Sequence, residues 1–110
     1  MAKTSSQTVV HTYYVMKLRN WFRQTMVHNT LTLDNKTLET TESVTKLWQP
    51  EGDVQILVTE NPSYKDLKHR RSVFFVDNKY FVIVDEAVGA AKGKVNLHYQ
   101  LCDGKVNIDQ

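Results

Sequence analysis

The sequence predicts an all-β fold: an antiparallel sheet or partial β-sandwich preceded by one short N-terminal helix. Three observations carry this. Runs rich in Val, Ile, Thr, Tyr and Phe recur at about ten-residue spacing, as short sandwich strands do. Two of those runs, Arg71 to Val76 (RSVFFV) and Lys79 to Asp85 (KYFVIVD), flank Asp77-Asn78, a hairpin signal. Four glycines and two prolines are the main punctuation between runs.

The elements follow in order. Met1 to Gln7 reads as a disordered tail, and residues 8–110 as the domain. Thr8 to Met16 (TVVHTYYVM) suits a strand. Leu18, Trp21, Phe22 and Thr25 recur at helical spacing, so a short helix is expected to dock its Trp21-Phe22 face. His28 to Asp34 alternates, with Asn29, Leu31 and Leu33 on one face, and Asp34-Asn35-Lys36 closes it as a turn. Thr37 to Thr41 and Ser43 to Trp48 suggest a second strand region. Val54 to Thr59 is a strong strand that Asn61-Pro62-Ser63 is expected to break. After the hairpin, Lys94 to Leu101 puts Val95, Leu97, Tyr99 and Leu101 on one face. Val106 to Ile108 begins a further strand, and the chain ends within it. An unfinished edge there suggests truncation, exposed strand edges and self-association.

Composition narrows function. With 110 residues there is room for one domain and not for a two-lobed enzyme. A hydrophobic fraction of 41% and a charged fraction of 24% fit an ordinary globular chain. A net charge of +2 gives no reason to expect a nucleic-acid partner. Apolar runs are too short for a membrane helix, and no signal peptide is visible. The single cysteine, Cys102, excludes an internal disulfide framework and a cysteine-rich zinc site.

Few residues point to chemistry. The four histidines, His11, His28, His69 and His98, form no HxH or HxxxH pair. His28 stands out because it follows the helix and opens a strand, a junction that holds a side chain rigidly. Lys65, Lys68, His69, Arg70 and Arg71 form a basic cluster. It could hold a sulfate or carboxylate of an acidic sugar, or it could be a solvated strand entrance. No phosphate loop, nucleophile elbow or Cys-His arrangement occurs.

Trp21-Phe22-Arg23-Gln24-Thr25 followed by His28-Asn29-Thr30-Leu31-Thr32-Leu33-Asp34 resembles the start of the C-terminal region of heparinase II/III-type polysaccharide lyases. His69-Arg70-Arg71-Ser72-Val73, Tyr80-Phe81-Val82-Ile83-Val84-Asp85 and Val95-Asn96-Leu97-His98-Tyr99 resemble later strands of that region, in order. The resemblance spans about residue 18 to residue 104 and is nearest to the heparan sulfate-degrading branch. It implies part of a C-terminal β-sandwich. In such lyases an N-terminal α/α toroid supplies a tyrosine and an asparagine for β-elimination at a uronic acid. A "GH.H.D" segment supplies a histidine. This sequence contains neither the toroid nor that segment, so the resemblance implies no catalytic residue here and no independent turnover.

The same resemblance makes His28 one of three ligands of a zinc ion in the family sandwich. One imidazole binds zinc too weakly to hold it, so this chain by itself is expected to carry none. His69, Arg70 and Arg71 become candidate contacts for heparan sulfate, the acidic polysaccharide that is the expected partner; neither a nucleic acid nor a membrane is expected. The parent family implies a periplasmic or secreted location. The alternative function is a non-catalytic carbohydrate-binding or accessory β domain.

Overall fold

A computed structural model describes residues 17–38 and 41–109. The expected tail and the strand expected over Thr8 to Met16 lie outside the described residues, as do two positions of the expected strand over Thr37 to Thr41.

Two antiparallel sheets make up the chain, with one short helix and one 3-10 turn before them, in agreement with the all-β expectation. Helix α1 covers residues 17–22, and Thr25–Val27 forms the 3-10 turn. The strands are β1 (Thr30–Leu33), β2 (Val44–Gln49), β3 (Val54–Tyr64), β4 (Leu67–Val76), β5 (Tyr80–Gly89) and β6 (Val95–His98). The larger sheet has the order β2-β3-β4-β5, and β1 pairs with β6 in the smaller one. Among the described residues, no helix is long and apolar enough to cross a membrane.

The helix departs from expectation in its docking. It stops at Phe22, before the periodic stripe reaches Thr25. Trp21 and Phe22 stay about half exposed and meet each other edge to face at 5.1 Å between centroids. Of that stripe, Thr25 is buried, and its hydroxyl accepts the Leu38 N–H at 3.0 Å.

Pro62 does not break its strand. β3 runs through Asn61-Pro62-Ser63, and the register with β4 shifts there, between Asn61 and Tyr64. An irregular position tolerates the missing proline N–H.

The main hairpin is longer than its sequence signal and differs in register. A two-residue loop would pair Val76 with Lys79. Instead Val76 pairs with Tyr80, and Lys79 belongs to the turn. Asp77 and Asn78 have φ of 51° and 52°, conformations that Asp and Asn tolerate, and Lys79 N–H donates to the Val76 carbonyl at 2.9 Å. A one-residue change of register reassigns every cross-strand partner. It sets Arg71 opposite Asp85 and His69 opposite Ala87.

The far end of β5 is closed by Gly89. Its φ is +146°, and a Cβ there would lie 2.0 Å from the Asp66 carbonyl oxygen, so glycine is required twice over. The Asp66 carbonyl accepts N–H bonds from Ala90 and Ala91.

In the smaller sheet, Leu31 and Thr32 are buried, while Val95 and Leu97 of the face expected to be apolar remain exposed. The inward contacts of β6 are polar. His98 Nε2 lies 2.8 Å from the fully buried Thr32 hydroxyl, and Asn96 donates to Asn35. No strand forms over Val106 to Ile108; those residues are exposed and without secondary structure.

Candidate functional site

The basic stretch of β4 is split by the strand's own geometry. Successive side chains of a strand point to opposite faces. His69 and Arg71 therefore face one side of the sheet, and Arg70 the other.

On the first face, Asp85 of β5 is the hub. His69 Nε2 donates to its Oδ1 at 2.6 Å, and Arg71 Nε donates to the same oxygen at 2.7 Å. Arg71 NH2 donates to Oδ2 at 3.2 Å, and the Tyr99 hydroxyl donates to Oδ2 at 2.5 Å. Arg71 also lies 5.7 Å from the centre of the Tyr99 ring. Its remaining nitrogen reaches the Asn29 carbonyl at 2.9 Å. Asn29 in turn accepts the Gln100 N–H through its side-chain oxygen. This network ties the large sheet to the segments that flank β1 and β6.

The Asp85 side chain is 4% exposed. Burial alone pushes its carboxyl up. Hydrogen bonds from Arg71, Tyr99 and His69, with the charge of Arg71, outweigh burial and hold it at about 2. The Tyr99 hydroxyl is pushed up by burial and by the neighbouring Asp85 charge, so it stays protonated and donates. The Arg71 guanidinium is held above its usual value, chiefly by its hydrogen bond to Asp85.

This predicts an acid limit. An aspartate in the unfolded chain titrates near 3.8, so as pH falls it takes up its proton before the folded one does. Asp85 therefore contributes about 2 kcal/mol above roughly pH 5, and that contribution is lost as pH falls toward about 2. Urea unfolding midpoints measured across this range should show the loss, and Asp85→Asn should remove that part of the pH dependence.

On the opposite face, Arg70 donates to Glu60 Oε1 from Nε at 3.2 Å and from NH2 at 3.1 Å. It also lies 3.7 Å from Glu86, and Lys68 lies 3.7 Å from Glu60. The hydrogen bond from Arg70 is the first cause that lowers the Glu60 carboxyl, with the charges of Lys46, Arg70 and Lys68 adding to it. His69, Arg70 and Arg71 are thus not gathered on one surface, and each is paired with a carboxylate of this chain.

His28 sits apart from both groups, exposed, at the end of the 3-10 turn. Its Nδ1 lies 2.9 Å from the Gln24 carbonyl oxygen. A carbonyl can only accept, so Nδ1 carries a hydrogen, which in the neutral ring leaves the lone pair on Nε2. This is the orientation of a metal-ligating imidazole, whose other nitrogen usually donates to a carbonyl or carboxylate. Among the described residues no three His, Cys, Asp or Glu side chains converge as a metal-binding group. The donor type and the carbonyl-held Nδ1 are compatible with one position of a zinc site.

Asp85, Tyr99 and Asn29 are the residues that sequence reasoning missed as a group. An aspartate paired across the hairpin from an arginine was the available signal, hidden by the one-residue difference in the turn.

The chain's likeness to known proteins agrees with this architecture. The Heparinase II/III-like, C-terminal family matches residues 8–110. A heparin-sulfate lyase of Bacteroides stercoris is 76% identical over 92 residues, which is 84% of this chain and 14% of that protein. A heparin-sulfate lyase of Pedobacter heparinus is 46% identical over 87 residues, 79% of this chain and 13% of that protein. A solved heparinase III gene product superposes with a TM-score of 0.80 at 75% identity, over 86% of this chain and 15% of that one. The heparan sulfate lyase HepC of Pedobacter heparinus gives 0.70 at 45% identity, over 74% and 13%. The chain spans about one seventh of the length of the lyases it matches. With nearly the whole sequence matched to it, the chain belongs to the heparinase II/III-like C-terminal family.

Proposed function

We propose that this chain serves as a structural segment of the β domain of a heparan sulfate lyase, and that it does not perform β-elimination by itself. The observation that carries this reading is the 76% identity to a heparin-sulfate lyase over only 14% of that protein's length. Sequence this similar fits the same structural role, and so short a share leaves most of a lyase's cleft to be built elsewhere.

The chemistry of the described residues supports the reading. Removing the C5 proton of a uronic acid needs a base within hydrogen-bond reach and a group that neutralises the carboxylate. The histidine, arginine and tyrosine that lie closest together here all converge on Asp85. We assign that network to holding the two sheets in register, and Arg70 to the Glu60 and Glu86 pair, rather than to polysaccharide contact.

His28 is proposed as one zinc ligand through Nε2. A zinc site needs three or four ligands, and the described residues do not gather three, so at least one further ligand would come from outside them. When bound, the ion supplies a structural crosslink; the part played by this chain is to hold the imidazole, through Gln24, with its lone pair on Nε2.

The test is absorbance of the unsaturated uronate product on heparan sulfate with the purified chain. No product above background is expected. Turnover by the purified chain would overturn this assignment.

A further inference from the structure

We propose that Gln100 and Arg71 are positioning residues for the His28 imidazole: from two distant segments they pin the backbone on either side of it. The proposal rests on the reading of His28 as a zinc ligand and names the groups that hold that ligand in place. The turn that carries His28 has little local support. Thr25–Val27 is a single 3-10 turn, and its flanking residues Gln24 and His28 are already extended. The His28 N–H donates to the Thr25 carbonyl at 3.1 Å, and Nδ1 donates to the Gln24 carbonyl at 2.9 Å. So short a turn is marginal by itself, and a shift of its backbone carries the Nδ1 bond away with it.

Three bonds from distant parts of the chain supply what the turn lacks. The Gln100 side-chain amide donates to the Met26 carbonyl at 3.3 Å, across 74 positions of sequence. The Gln100 backbone N–H donates to the Asn29 side-chain oxygen at 2.5 Å, across 71 positions. Arg71 donates to the Asn29 carbonyl at 2.9 Å, across 42 positions. Met26 precedes His28 and Asn29 follows it, so the clamp brackets the imidazole. None of these three bonds is made to the ring itself, so none of them occupies Nε2.

Neither residue is needed there for strand pairing. The β1–β6 ladder ends at Thr30 and His98, and Gln100 lies beyond it, yet Gln100 reaches back to both sides of His28. Arg71 already holds Asp85 with two of its nitrogens, and the third goes to Asn29. Asp85 thereby fixes the guanidinium plane, so Arg71 carries the order of the large sheet to the turn. A lysine, with one flexible ammonium in place of a planar fork, cannot hold both partners in that geometry. A ligand group held in its bound orientation beforehand loses less freedom when it binds, which is the advantage of preorganisation. The network around Asp85 thus has a second task beyond joining the sheets.

Nitrogen NMR of the imidazoles in the 110-residue chain, at a pH where the rings are neutral, reads which nitrogen of His28 carries the hydrogen. The parent should be mainly in the Nδ1–H form. Gln100→Ala and Arg71→Lys should each lower the ratio of that form to the Nε2–H form by about fivefold, the size expected from one net hydrogen bond. Gln100→Glu keeps the shape but has no amide donor, so it should behave as Gln100→Ala does. Glu60→Gln, on the same sheet as Arg71 but with no bond toward Asn29, should leave the ratio unchanged. All variants should keep the β-sheet circular dichroism of the parent; if Arg71→Lys loses it, the two Gln100 variants decide. An unchanged ratio in both Gln100 variants would overturn the proposal, as would a parent His28 mainly in the Nε2–H form. Zinc added in large excess tests the underlying reading separately. It should shift the His28 Nε2 resonance, with about fivefold more zinc needed for Gln100→Ala. If zinc leaves His28 unmoved while the hydrogen position responds as expected, the zinc reading fails and the positioning of the ring stands.

Discussion

Asp85→Ala is expected to destabilise the fold by about 3–5 kcal/mol, the usual consequence of removing one partner from a buried ion pair. The reason is what the substitution leaves behind. Arg71 keeps a charge that is 23% exposed at the side chain, His69 keeps a buried imidazole, and Tyr99 keeps a hydroxyl, all without their shared acceptor. A loss of that size is a large part of the 5–15 kcal/mol that holds a typical domain together. Urea unfolding should show a lower midpoint with an unchanged slope. Glu60→Gln is the comparison. Its partners Lys68 and Arg70 reach solvent, so its effect should be clearly smaller. Equal effects would show that the two carboxylates do not differ in kind and would remove Asp85 from its central place.

How far the sequence alone reaches is clear from particular residues. The Asp77-Asn78 turn was legible because few residues other than glycine accept a positive φ, and two adjacent ones that do mark a hairpin. The register was not legible. Whether Lys79 joins the strand or the turn is decided by the twist and packing of the whole sheet, and local propensity does not report it. That single residue determines whether Arg71 meets Val84 or Asp85, and so whether a polar network exists. The split of His69 and Arg71 from Arg70 follows from strand alternation and could have been drawn from sequence once a strand was assigned there.

Other features depend on contacts that no local pattern encodes. Trp21 and Phe22 lie on a helical stripe but stay about half exposed, because the helix ends before the stripe is complete. β6 was expected to bury Val95 and Leu97, yet its inward contacts run through Asn96 and His98 to the turn after β1 and to Thr32. Pro62 is accommodated by a register shift that only the partner strand reveals. Family membership, by contrast, was legible in the ordered set of segments from Trp21 to Tyr99, since sequence order does not depend on which strands pair.

A structural segment of this kind should be exchangeable with its counterpart in a lyase. The heparin-sulfate lyase of Bacteroides stercoris matches it at 76% identity over 92 residues. If the segment serves that enzyme as a folded part that supports a cleft built elsewhere, its residues should work in the other's place. The exchange should also carry the internal interactions with it. His69, Arg71, Asp85 and Tyr99 all lie on the transferred piece, so no partner is left behind in the host. Distant, self-contained networks of this kind combine with a new surrounding nearly additively. The same exchange made with Asp85→Ala should lower the amount of folded lyase, while the activity per folded molecule changes little, because both Asp85 oxygens are taken up by His69, Arg71 and Tyr99.

The most direct measurement is the lyase activity of that Bacteroides stercoris enzyme after its matching segment is replaced by residues 17–109 of this chain. The expected result is unsaturated product from heparan sulfate at a rate within about tenfold of the parent enzyme, a difference of about 1.4 kcal/mol or less in transition-state stabilisation. A folded chimera that makes no product would contradict the account, because it would show that this segment cannot fill the place in a lyase that its fold and sequence assign to it.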